Sequence, residues 1–161
     1  MTVASLKDTD RQDRHALYRA LILEHARSPR NFGRLEAPSH RAEGINPLCG
    51  DKLELTLAVD GDGRITQVAF EGTGCAISMA SASILTETIT GQTVAEARAL
   101  FEHFKALLDE EHSSTHASLA EALQALAGVR DYPSRIKCAT LAWQAMVSAT
   151  DGRGGTPVTT E

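Results

Sequence analysis

The sequence predicts a single α+β domain in which a three-stranded antiparallel sheet packs against helices. Three observations carry that prediction. Lys52 to Val59 alternates, with Leu53, Leu55, Leu57 and Val59 on one side and Glu54, Thr56 and Ala58 on the other, the period of a half-buried strand. Asp60-Gly61-Asp62-Gly63 is a turn signal, and Ile65 to Glu71 follows as a second strand through Ile65, Val68 and Phe70. After Cys75 the period changes to 3.6, with Ile77, Ala80, Ser81, Ile84 and Thr88 on one face and Gly91 at the end.

The remaining elements follow in chain order. Residues 1–12 are polar and read as a flexible N-terminus, and the domain itself as residues 13–150. Asp13 to Ala26 carries Leu17, Ala20, Leu21 and Ile22 at helical spacing, and Ser28-Pro29 should stop that helix because proline disfavours helix in the residue before it. Residues 27–40 form an irregular connection, and a short strand near Arg41 to Gly44 completes the sheet. Thr93 with Glu96 has capping-box spacing and opens a helix to Leu108. A polar stretch from Asp109 to His116 leads to a helix over Ser118 to Leu126, closed by Gly128. Ser134 is the expected cap of the last helix, where Ile136, Ala139, Trp143 and Met146 share a face. Residues 151–161, rich in Gly, Thr and Pro, read as a disordered tail.

Composition excludes several classes of function. The chain has 161 residues, 42% of them hydrophobic and 23% charged, which suits one soluble domain with its own core. A formal charge of −5 argues against non-specific nucleic-acid binding, which needs a basic surface. No apolar run reaches membrane-spanning length, and the polar N-terminus lacks the apolar region of a secretory signal. An odd cysteine count without such a signal fits a reducing cytoplasm better than a disulfide framework.

The chemistry lies in the three cysteines. Cys49 sits in the turn sequence Asn46-Pro47-Leu48-Cys49-Gly50-Asp51, Cys75 follows Gly72-Thr73-Gly74 at the mouth of a helix, and Cys138 lies at the start of another. Gly50 allows a tight turn through which Cys49 and Asp51 can reach one ion. A helix N-terminus favours thiolate over thiol at Cys75 and Cys138. Three thiolates and a carboxylate supply the four ligands of a tetrahedral zinc ion. On chemistry alone, a shared site and three independent buried thiols both stay open, since the cysteines lie far apart along the chain.

Other motifs carry less. His112 and His116 have a metal-compatible spacing, but Ser113, Ser114 and Thr115 between them read as a solvated loop. His25 and His103 fall within helical patterns without neighbouring ligands, and Trp143 reads as core. Ala80 to Ser83 reads as a close-packing stripe without a His/Asp partner for catalysis, and the Gly72/Gly74 loop is too short for phosphate.

The motifs also carry a family resemblance over residues 15–148. Leu17-Tyr18-Arg19 with His25, Pro29-Arg30-Asn31-Phe32-Gly33, Asn46 to Asp51, Gly72 to Ser78 with Ala80-Ser81-Ala82-Ser83, and Ser134 to Cys138 occur in an order similar to that of the SufU group of IscU/NifU-N-type iron–sulfur assembly proteins. Two features favour SufU over IscU. Lys137 stands where IscU-like scaffolds have a histidine, and a protonated lysine has no lone pair for a metal. The interval between Cys75 and Cys138 is also long, which places a SufU-type insertion within residues 100–130. The proline-rich chaperone-binding segment of IscU is absent before Cys138.

The resemblance implies a zinc-dependent sulfurtransferase that takes persulfide sulfur from a SufS-type cysteine desulfurase and hands it to a downstream iron–sulfur assembly scaffold. It implies Cys49, Asp51, Cys75 and Cys138 as the Zn2+ ligands and Cys49 also as the sulfur acceptor, a partner histidine replacing Cys49 on the metal when it is released. Arg135 and Lys137, which flank Cys138 and oppose the helix dipole, are candidate steering residues. The alternative implied by the same ligands is a scaffold for a [2Fe–2S] cluster.

Overall fold

The computed structural model describes residues 3–109 and 121–160, with side chains of the first helix described from residue 12 onward. The chain runs α1 (Val3–Arg27), β1 (His40–Asn46), β2 (Asp51–Val59), β3 (Ile65–Thr73), α2 (Ala76–Ile89), α3 (Val94–Leu108), α4 (Glu121–Leu126), α5 (Ile136–Thr150) and β4 (Val158–Thr159). His112, His116 and the first residues of the helix expected from Ser118 lie outside the described residues.

The sheet has four strands in the order β3-β2-β1-β4, not three. The predicted β2–β3 hairpin forms, and β1 pairs antiparallel with β2. The additional strand comes from the segment read as a disordered tail: Val158 and Thr159 lie parallel to Gly44 and Ile45 at the edge of β1. Two residues are too few for alternation to reveal. The tail is held by an ion pair from Arg98 to Asp151. It approaches β1 closely at Gly154, where a Cβ would fall 1.9 Å from the Arg41 carbonyl oxygen.

The alternation in β2 is realised: Leu53, Leu55 and Leu57 are fully buried, each contributing about 1.5–3 kcal/mol of burial energy. They face the helices through α5, which packs on β1 and β2, and α2, which packs on β3. α2 is also covered by α1 and α5, so its burial extends beyond the expected face to Ser78, Ala82, Ser83, Leu85 and Thr86. Its small side chains permit that approach from several sides. Trp143 is core, as expected, stacked on Phe101 with ring centroids 5.9 Å apart and tilted against Phe104 at 5.6 Å.

Two helix starts differ from expectation. α1 begins at Val3, ahead of the apolar spacing that starts at Asp13, because helix-favouring residues extend a helix without an apolar stripe. Ser134 does not cap α5: Pro133–Arg135 form a 3-10 turn, and Arg135 precedes the helix without a side-chain cap bond. The capping interaction at Thr93 does form, its hydroxyl accepting from the Glu96 N–H at 3.1 Å.

The connection after α1 is more ordered than its composition suggests. Gly33 N–H donates to the Phe70 carbonyl at 2.7 Å, Phe70 N–H donates to the Asn31 carbonyl at 3.1 Å, and Arg30 N–H donates to the Ser83 hydroxyl at 2.8 Å. Ser83 Oγ also lies 2.7 Å from Nδ1 of buried His25.

Burial lowers the His25 pKa from its ordinary 6.5, and the Arg30 charge adds to this against Glu87 and Glu24. The unfolded chain therefore binds more protons at His25 than the folded one just below that value. Stability from this group is full above the ordinary value and lost as pH falls below it. The denaturation midpoint is expected to drop between about pH 7.5 and about pH 5.5, and the drop should shrink in His25→Asn, which keeps a polar atom toward Ser83. Urea titrations at several pH values measure this.

Candidate metal centre

The centre is assembled where three chain reversals meet. β1 and β2 are closed by Asn46 opposite Asp51, and Gly50 takes a left-handed conformation with φ 69° in the connecting turn. This turn presents Leu48, 76% exposed, and half-buried Cys49 at its tip, while Asp51 opens β2 at 1% exposure.

Asp51 binds the end of β3 to the hairpin. Its Oδ1 accepts the Cys75 N–H at 2.7 Å, and its Oδ2 lies 3.8 Å from Cys75 Sγ. The close approach depends on Gly72 and Gly74: a Cβ at Gly72 would stand 2.1 Å from the Lys52 carbonyl oxygen, and one at Gly74 would stand 2.6 Å from Asp51 Oδ1. Gly74→Ala is accordingly expected to displace the carboxylate and lower the affinity of the site for a metal cation by about 10-fold or more, as measured by chelator competition.

Cys75 is the N-cap of α2, and its sulfur accepts the Ser78 N–H at 3.4 Å. Cys138, the third residue of α5, is fully buried. Its sulfur is 3.1 Å from Cys49 Sγ and accepts from Asn46 Nδ2 at 3.3 Å. Ligand atoms of Cys49, Asp51 and Cys138 lie within 4.8 Å of one another, near enough to bind one cation. Cys75 adjoins this trio through Asp51. Three sulfurs and a carboxylate at the meeting point form a donor set suited to zinc or to an iron–sulfur cluster.

The electrostatics fit a cation. Burial pushes the Cys138 thiol far above its ordinary range, reinforced by its hydrogen bond to Cys49 and by the charge of Cys75. A metal here must displace that proton, so uptake releases protons and weakens as pH falls. Arg135 donates from Nη1 to Cys49 Sγ at 3.4 Å, and Cys138, Cys49 and Cys75 raise its guanidinium above the ordinary value. Lys137 is half-buried, and no hydrogen bond from its side chain to a cysteine is found among the described residues. Its carbonyl accepts from Thr160 in the tail at 3.4 Å.

The sequence reasoning missed the polar residues around the thiols. Asn46 joins Asp51 Oδ2 to Cys138 Sγ, while Tyr18 and Ser78 bury hydroxyls without a hydrogen-bond partner among the described residues. Burial, aided by Tyr132 and Cys75, raises the Tyr18 phenol to about 12. Only the register opposite Asp51 could have singled out Asn46.

Residues 17–139 match the NifU-like N-terminal domain. The chain belongs to that family. It is 41% identical over 130 residues to the zinc-dependent sulfurtransferase SufU of Bacillus subtilis, covering 81% of this chain and 86% of the relative. It is 39% identical over 133 residues to the iron–sulfur cluster assembly scaffold protein IscU of Streptococcus pyogenes, covering 83% and 82%. Among solved structures, a SUF-system protein of Fervidobacterium islandicum described as a cluster-assembly scaffold superposes with a TM-score of 0.75 at 30% identity, covering 84% of this chain and 97% of that one. The N-terminal part of a NifU-like protein from Brucella abortus superposes at 0.73 and 27% identity, covering 84% and 93%. The family thus joins this α+β fold to iron–sulfur cluster assembly. No helix among the described residues is long and apolar enough to cross a membrane.

Proposed function

We propose that the protein is a zinc-dependent sulfurtransferase of the cytoplasm, accepting persulfide sulfur from a SufS-type cysteine desulfurase and passing it to an iron–sulfur assembly scaffold. The observation that carries this reading is the contrast among the three thiols. Cys75 is held by the first turn of α2, and Cys138 is buried under the Asn46 amide. Cys49 stands at a turn tip, where the side chain of exposed Arg135 donates to it.

Cys49, Asp51, Cys75 and Cys138 would hold the zinc, which supplies a redox-inert positive charge that keeps sulfur deprotonated. The Cys49 thiolate attacks the terminal sulfur of the partner's persulfide. A new S–S bond forms at Cys49 as the partner's S–S bond breaks, the partner cysteine leaves as thiolate, and the terminal proton stays with the transferred sulfur. Arg135 places a positive charge beside the Cys49 sulfur through which the negative charge passes. Leu48, exposed next to it, offers apolar area to the partner. Lys137 adds a positive charge one residue before Cys138 and, lacking a lone pair, no further ligand.

The test compares purified, chelator-stripped and zinc-reloaded protein as activators of a SufS-type desulfurase. One tightly held zinc, with activation lost on stripping and restored by zinc, supports the reading. Anaerobically purified protein with stoichiometric, transferable iron and sulfide would overturn it in favour of a [2Fe–2S] scaffold.

A further inference from the structure

We propose that Asn46 is a positioning residue whose single amide group ties Asp51 and Cys138 together as one preformed half of the metal centre. The inference rests on the zinc reading above. Asn46 is 1% exposed, and Nδ2 lies 3.2 Å from Asp51 Oδ2 and 3.3 Å from Cys138 Sγ. An amide NH2 has two hydrogens, so one group can serve both acceptors. The two acceptors come from different parts of the fold, the start of β2 and the first turn of α5. Among the described residues, no backbone hydrogen bond links the start of β2 to the first turn of α5.

The chemistry of the residue suits this place. A buried carboxylate and a buried cysteine sulfur each need a donor to remain out of water. A lysine or arginine would satisfy them by bringing its own positive charge, which would oppose a metal cation. A neutral amide donates to both without adding charge. Asn46 gains its position from the sheet: as the last residue of β1 it faces Asp51 directly in the ladder, and the turn begins only after it. The opposite amide atom, Oδ1, is buried without a partner among the described residues.

The consequence is a division of labour among the ligands. Asn46 fixes Asp51 and Cys138, the N-cap geometry fixes Cys75, and Cys49 remains the sulfur that can move. Removing the amide should weaken the metal site at its fixed half and loosen Cys138.

The test uses the full chain with Asn46→Asp, which keeps the shape but replaces the donor by an acceptor, and Asn46→Ser, which keeps one donor. Zinc affinity is measured by chelator competition, and the sulfur-to-cobalt charge-transfer absorption of the cobalt(II) form reports the ligand geometry. Circular dichroism of the metal-free proteins checks folding. The expected result is a loss of zinc affinity of about 10–100-fold in Asn46→Asp, an intermediate loss in Asn46→Ser, and a weakened or shifted cobalt band in both. If Asn46→Asp does not fold, Asn46→Ser carries the comparison. Folded variants with zinc affinity and cobalt spectra equal to the unsubstituted protein would overturn the assignment. Unsubstituted protein that takes up no zinc would overturn the zinc reading itself, and with it this inference.

Discussion

Cys49→Ala is expected to reduce activation of a cysteine desulfurase to the level measured without the protein, while leaving the fold intact. The two halves of that expectation have separate causes. Cys49 lies at the tip of the β1–β2 turn, half-buried and outside the apolar core, so truncating it opens no cavity there. Its backbone is set by Gly50 and by the Asn46–Asp51 pair, which the substitution leaves in place. What is lost is the one sulfur near the surface beside a cationic side chain. Cys138 cannot take its place, because it is fully buried and holds the Asn46 amide. Production of alanine from cysteine by the desulfurase measures the first half, and circular dichroism the second. Activation that survives in Cys49→Ala would remove the acceptor role from this residue.

Trp143→Ala is expected to cost about 3–5 kcal/mol of stability. The indole is fully buried, packed on Phe101 and Phe104, and its Nε1 donates to Ser81 Oγ at 3.2 Å. Ser81 in turn donates to the Ala139 carbonyl of α5. Removing the ring therefore leaves a cavity between α3 and α5 and takes one donor from the α2–α5 contact. Domains of this kind have about 5–15 kcal/mol in total, so the variant should melt about 6–20 °C lower. Thermal and urea unfolding of the metal-free protein measure it. A loss below about 1 kcal/mol would contradict the packing described here.

Much of the fold was legible because its elements repeat. The Leu53-Leu55-Leu57 alternation and the Asp60–Gly63 turn define the hairpin, and the change of period after Cys75 marks α2. β4 was not legible, since two paired residues in a Gly- and Thr-rich tail show no period and owe their place to Gly154 and Arg98. The start of α5 was misassigned because a Pro133–Arg135 3-10 turn and a helix cap share the same residue types.

The site divides in the same way. Cys49, Asp51, Cys75 and Cys138 were visible as chemistry; the fold gathers Cys49, Asp51 and Cys138 within 4.8 Å of one another, with Cys75 beside Asp51. Asn46 was in view only as part of a turn sequence. Its contact with Cys138 crosses the chain from β1 to α5, and no local pattern encodes it. Tyr18 and Ser78 reach the neighbourhood of the thiols through α1 and α2 packing, which is likewise a tertiary fact.

The central claim is that sulfur enters this protein at Cys49. It is tested most directly by incubating the zinc-loaded protein with a SufS-type desulfurase and cysteine, trapping thiols and persulfides by alkylation, and mapping the peptides by mass spectrometry. The expected result is one added sulfur on the peptide containing Cys49, with Cys75 and Cys138 unmodified. Added sulfur on Cys75 or Cys138 with none on Cys49, or no added sulfur on any of the three, would contradict the account.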